Sequence, residues 1–251
     1  MNPIDSEIPV KRRSHGFTLV EMLVVIAIMS ILMTAGAIGL GGLGGKGVTS
    51  GVASAESLFD EARATAIGKN MRACVLVAKA LTNSPADDLR RIIVAYEEVD
   101  TVAASPTFGQ AKDPNNAAPK WEISSRGAVL PDQTFYSTRL SKLDHEKGTG
   151  TIDTVASTRF VGATKAALTG DYYIYVFNSQ GICTTPGASF IIGTGARNTS
   201  KKSTDQPPRV TAAGKRDFGG FVVWRNGRTS VFRSPDQMGT EMSSLSAGKD
   251  F

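Results

Sequence analysis

The stretch KRRSHGFTLVEMLVVIAIMSILMTA, residues 11–35, decides how this chain is to be read. Lys11, Arg12 and Arg13 come first, then Gly16, then an apolar run from Phe17 to Ala35 whose polar members are Thr18, Glu21, Ser30 and Thr34. Its length is about that of a membrane-spanning helix, roughly 20 residues. The basic triplet ahead of it predicts a single-pass topology with the N-terminus in the cytoplasm and the rest of the chain outside. A secretory signal peptide places its small cleavage residues after the apolar region. Here the glycine precedes it, and Thr34-Ala35-Gly36 is a weak substitute.

Glu21 is the feature that needs a physical reason. A carboxylate inside an apolar span costs on the order of 2.5–3.5 kcal/mol and demands a cationic partner. A cut between Gly16 and Phe17 would create a new α-amino group about one helical turn from Glu21. The two charges could pair within one chain, or between neighbouring subunits, where they would set the axial register.

The run Gly16-Phe17-Thr18-Leu19-Val20-Glu21, with its basic leader and apolar helix, resembles the type IV prepilin signature shared by pilins and type II secretion pseudopilins. The resemblance implies a prepilin peptidase/methyltransferase that cuts after Gly16 and N-methylates Phe17. It implies Glu21 as the assembly residue that pairs with a neighbour's amine. It also implies other pilin or pseudopilin subunits and an inner-membrane assembly platform as partners, with the outer domain in the periplasm and then in a filament. An uncleaved signal anchor is the plain alternative.

Outward from this stretch, residues 1–16 read as a leader that is removed, and 17–35 as the transmembrane and assembly helix. Residues 36–51, half of them glycine, read as a soft joint, because each interior glycine costs a helix about 1 kcal/mol. Gly39, Gly41 and Gly44 have the spacing of a dinucleotide fingerprint, but no strand precedes them. From 52 to 70 an apolar stripe of Val52, Ala55, Phe59, Ala62 and Ala66, broadened by Leu58, predicts an amphipathic helix lying on a sheet.

Residues 71–251 read as a β-rich outer domain. Strands are expected at 73–80, 91–97, 121–125, near Val129 and at 172–177. Pro186-Gly187 suggests a hairpin between 182–184 and 189–192, and Asn226-Gly227 a second between 218–225 and 229–233. Segment 100–120 reads as a loop, 141–153 as an exposed loop, and the tail from Ser234 as polar. The fold class expected is α+β: a long N-terminal helix, interrupted by the glycine joint, packed on one antiparallel sheet or two.

The segment Ala62-Arg63-x-x-Ala66-Ile67-x-x-Asn70, the strand and turn 176–181, and the closing hairpin 221–231 with Gly227-Arg228 resemble the H-type minor pseudopilin family (GspH/FimT-like). Two long inserts, 81–119 and 141–168, depart from that pattern.

The chain has 251 residues, a net charge of +5 spread along its length, and two cysteines. The charge reads as solubility and not as a nucleic-acid footprint. Cys74 and Cys183 leave two readings open, a disulfide or two buried thiols. Removing the leader leaves one histidine, His145, and no H-E-x-x-H, G-x-S-x-G or C-x-x-C occurs, so an enzyme and a cofactor are not expected. Adjacent acids Asp87-Asp88 and Glu97-Glu98, with Asp100 or Asp113, are weak calcium candidates. Lys201, Lys202, Arg209, Lys215 and Arg216 form a weak basic cluster. The expectation is a structural subunit of a secretion pseudopilus or type IV pilus. The alternatives are a filament-tip module that recognises an exported substrate, a surface or DNA, and a membrane-anchored protein that is never cleaved.

Overall fold

The computed structural model describes residues 19–41, 43–124, 127–162, 166–212, 217–232, 235–239 and 248–250. The chain divides into two compact units, residues 1–42 and 43–251. The first contains one α-helix, α1 (Leu19–Gly41). The second opens with α2 (Leu43–Lys69) and continues as β-structure. The boundary falls inside the glycine-rich stretch 36–51. The amphipathic helix, however, begins at Leu43 and not at Val52. The reason is packing: a Cβ on Gly51 would lie 2.7 Å from Ile192 Cδ1, so glycine there buys close approach and not a melt.

α2 buries Val48, Val52, Ala55, Leu58, Phe59, Ala62 and Ala66, the stripe that the sequence marks, extended by one turn. It ends in a left-handed cap. Asn70 sits at φ 52°, its N–H donates to Ile67 O, and the Met71 N–H donates to Ala66 O, which satisfies two of the last helical carbonyls.

Two antiparallel sheets follow. The first has the order β3 (Trp121–Ile123), β2 (Arg91–Glu97), β1 (Ala73–Leu81), β7 (Gly170–Phe177), β6 (Thr154–Ala156), with β4 (Ala128–Val129) also on β2. The second has the order β11 (Thr229–Val231), β10 (Phe218–Val223), β8 (Ala188–Ala196), β5 (Thr134–Tyr136), with β9 (Arg209–Val210) also on β8. The Asn226-Gly227 hairpin forms as expected. The one expected around Pro186-Gly187 does not. Residues 178–184 fold back onto β7 instead, through a Cys183–Phe177 bridge, and the chain then crosses to the second sheet. The YYIYVF strand and β8 have their partners in different sheets, a choice made by packing that a turn motif does not reveal.

Phe59 joins the layers. Its ring meets Tyr175 and Phe177 of the first sheet and Phe190 and Phe221 of the second, at centroid distances of 5.1, 6.3, 5.6 and 5.0 Å. The first sheet is buried on both faces. Ala73, Val75 and Val77 of β1 join the main core with α2, whereas Cys74, Leu76 and Ala78 join a second cluster with Trp121, Val155, Phe160 and Tyr172. This is why β1 reads as a continuous apolar run and not as an alternation. Parts of both inserts build that second core: Phe160 bridges to Trp121 and packs its ring 5.2 Å from Tyr172. The 141–153 segment is accordingly not all exposed, since Ser141 and Ile152 are buried.

Candidate assembly site

α1 carries leucine, valine, isoleucine and methionine on every side. From Leu19 to Ser30 every described side chain is exposed, and even Val25, with the least open of the large apolar ones, keeps 42% of its surface. A helix apolar all round belongs in a membrane or among other helices. Covering each such side chain is worth about 1.5–3 kcal/mol. Among the described residues no helix is long and apolar enough to cross a membrane, and the described side chains of α1 end at Ser30. The expected 17–35 span is therefore not shown.

Ser30 Oγ donates to Ile26 O at 2.7 Å, so its hydroxyl is satisfied within the helix. Glu21 lies exposed on α1. Lys11, Arg12, Arg13, Gly16 and Phe17 lie outside the described residues, so the proposed pairing of Glu21 with the Phe17 amine has no geometry here.

In the outer unit the cysteines do not pair. Cys74 and Cys183 are both free and buried. Cys74 belongs to the second core and Cys183 to the main core beside α2, on opposite faces of the first sheet. Burial pushes both thiols up, Cys74 well above its ordinary value.

Both adjacent acid pairs considered for calcium are held by cations. Arg91 holds Asp87, Arg72 holds Glu97 through two nitrogens, and Lys112 holds Glu98. Among the described residues no three of His, Cys, Asp and Glu gather as metal ligands. Asp88, expected in a solvated turn, is fully buried. It accepts from the Leu81 and Ser203 backbone N–H groups at 2.7 and 2.8 Å and faces Arg197 at 3.4 Å. Arg197 donates onward to Pro85 O and Lys201 O, which ties the polar 197–206 loop to the first hairpin. Of the basic cluster, Arg209 lies 3.5 Å from Asp250, Lys201 and Lys202 are exposed, and Lys215 and Arg216 lie outside the described residues.

Asp100 organises the first insert. Its carboxylate accepts from the Val102 N–H and from Thr107 Oγ1, with Ser105 alongside, and these hold the carboxyl at about 2. Val102 and Phe108 stand exposed on the loop so fixed.

Sequence reasoning missed the surroundings of His145. Its Nε2 lies 2.6 Å from Gln237 O and its ring lies 4.7 Å from that of Phe232. With Pro186, Val222, Trp224 and Arg225 these residues line a mainly apolar hollow of about 600 Å³. No periodicity joins positions so far apart in the chain. The exposed Trp224 was the one available signal. The two turns singled out at 178–181 and 226–227 are brought together: a Cβ on Gly227 would lie 2.3 Å from Gly181 O, and one on Gly181 2.7 Å from Ile67 Cδ1 of α2.

Residues 11–37 match the Prokaryotic N-terminal methylation motif. No curated protein and no solved structure matches the chain.

Proposed function

We propose that this chain is a pilin-like structural subunit, processed after Gly16 and assembled through its N-terminal helix. The observation that carries the reading is the methylation motif over residues 11–37, running into a helix whose apolar surface is open on all sides. The motif implies a prepilin peptidase that cuts and methylates, and other pilin subunits as neighbours. Stored in a membrane, α1 is covered by lipid. Extracted into a filament, it is covered by the helices of other subunits. There Glu21 pairs with a neighbour's methylated Phe17 amine, which keeps its charge. The finer reading is a minor pseudopilin of a type II secretion pseudopilus or the corresponding subunit of a type IV pilus, held first in the inner membrane with the outer unit in the periplasm. The α2-and-two-sheet outer unit, with the 178–181 and 226–227 turns in contact, supports the H-type subclass.

Mass spectrometry of the mature N-terminus tests the processing step. A chain beginning at N-methylated Phe17 is expected, and an intact Met1 or a start near Gly36 overturns it. Glu21→Ala tests the register step: membrane insertion stays and filament incorporation falls. Undiminished incorporation would sink the pairing.

A further inference from the structure

We propose that a cleft between the two sheets, built around Lys79, binds a sugar acid. On β1 the residues facing the main core are Ala73, Val75 and Val77, and Lys79 is next in that alternation. The strand carries a bulge there. Ala78 pairs with Tyr172 and Ala80 with Asp171, which leaves Lys79 without a partner in β7. The bulge is pinned from outside the sheet: Ala78 O accepts from the Leu89 N–H at 2.7 Å, and Lys79 O accepts from Ser203 Oγ. A bulge re-aims a side chain and recurs beside functional sites. Here the apolar core stops at Val77, and Lys79 lines a mainly polar cleft of about 470 Å³ with Tyr173, Thr151, Asp153 and Thr154. That volume is typical of small-molecule sites, about 300–1,000 Å³.

Two half-buried groups in the cleft are unpaired. Among the described residues the Lys79 ammonium makes no hydrogen bond or ion pair, and it lies 5.6 Å from the Tyr173 ring centroid. The Tyr173 hydroxyl likewise makes no hydrogen bond, while its ring is braced 5.3 Å from that of Tyr136. An ammonium partly withdrawn from water without a counter-charge favours an anion, and the neighbouring phenol can donate to the same anion.

The remaining lining selects what the anion is attached to. Asp153 is the one acid lining the cleft among the described residues, and it is exposed, as are Thr151 and Thr154. A carboxylate accepts from alcohols, and threonine hydroxyls both donate to them and accept from them. Asp171, Arg139 and Lys142 are close in sequence but do not line the cleft. One ammonium balances one negative charge, which suits a carboxylate and not a phosphate dianion. A plain carboxylate would leave Asp153 and the threonines without partners, and a neutral sugar would leave Lys79 without one. A sugar acid supplies both kinds of group. The cleft belongs to the outer unit, so its occupancy is independent of processing at Gly16.

The test uses the full chain in amine-oxide detergent micelles, which carry neither sugar nor phosphate, and titrates glucuronate, glucose and acetate by calorimetry and saturation-transfer NMR. Glucuronate is expected to bind saturably and about tenfold more tightly than glucose or acetate, the worth of a charge-assisted hydrogen bond. Lys79→Met keeps the apolar stem and removes the charge. It should bring glucuronate down to the level of glucose, leave glucose unchanged and retain the melting transition. Tyr173→Phe removes one hydroxyl and keeps the ring beside Tyr136, and it should weaken glucuronate more than glucose. Should Lys79→Met melt early, Tyr173→Phe carries the test. Absence of saturable glucuronate binding, equal binding of glucuronate and glucose or acetate, or undiminished glucuronate binding by a folded variant overturns the proposal.

Discussion

Asp88 and Arg197 face each other at 3.4 Å with both side chains fully buried, although they stand far apart in the chain and on different sheets' connections. Two backbone N–H groups share the carboxylate and two carbonyls share the guanidinium, so neither charge depends on the other alone. Removing one partner strands the other. Asp88→Ala should cost about 3–5 kcal/mol in chemical denaturation, whereas Asp88→Leu combined with Arg197→Met should recover much of that loss.

The pH dependence of this pair has a definite sign. Burial pushes the Asp88 carboxyl above its ordinary value, so the folded chain takes up that proton more readily than the unfolded one. Its charged form therefore costs stability above the folded value, and the cost fades as pH falls through it. Wild type is expected to gain stability relative to Asp88→Asn as pH falls through the folded value of Asp88, read from denaturation midpoints at successive pH values.

Asp100 behaves in the opposite way. Hydrogen bonds hold its carboxyl at about 2, below the ordinary 3.8. Its contribution to closing the 100–110 loop is fully present above 3.8 and is lost as pH falls through 2. Carboxyl-detected NMR should show Asp100 titrating last among the aspartates, and Asp100→Ala should raise amide exchange at Val102 and Gly109.

Phe59→Ala should cost about 3–5 kcal/mol, because the ring fills the junction of α2 with both sheets. Ala62→Leu, on the same fully buried face, should cost about 1–3 kcal/mol by overpacking. Thermal melts of the two variants check both figures.

Neither thiol should react with a water-soluble disulfide reagent in the folded chain, because both are buried and both are pushed up. Two equivalents should appear on denaturation without reductant. Fewer than two would mean that a disulfide forms after all.

The sequence by itself determined the pieces whose information is local. The residues of the methylation motif, 11–37, lie side by side, so the motif is legible without a fold. The α2 stripe, β1, β2, β7 and the Asn226-Gly227 hairpin follow from periodicity and turn chemistry, which span a few residues each. Tertiary structure decided the rest, because it depends on which distant surfaces meet. Gly51, expected in a soft joint over 36–51, instead lets α2 approach Ile192. Cys74 and Cys183, two sites that a count would pair, fall on opposite faces of one sheet. Asp88, a turn acid by its neighbours, is buried against an arginine from another loop. The cleft at Lys79 exists only once β1, β5, β7 and the 151–154 segment have packed, since no single segment contains it.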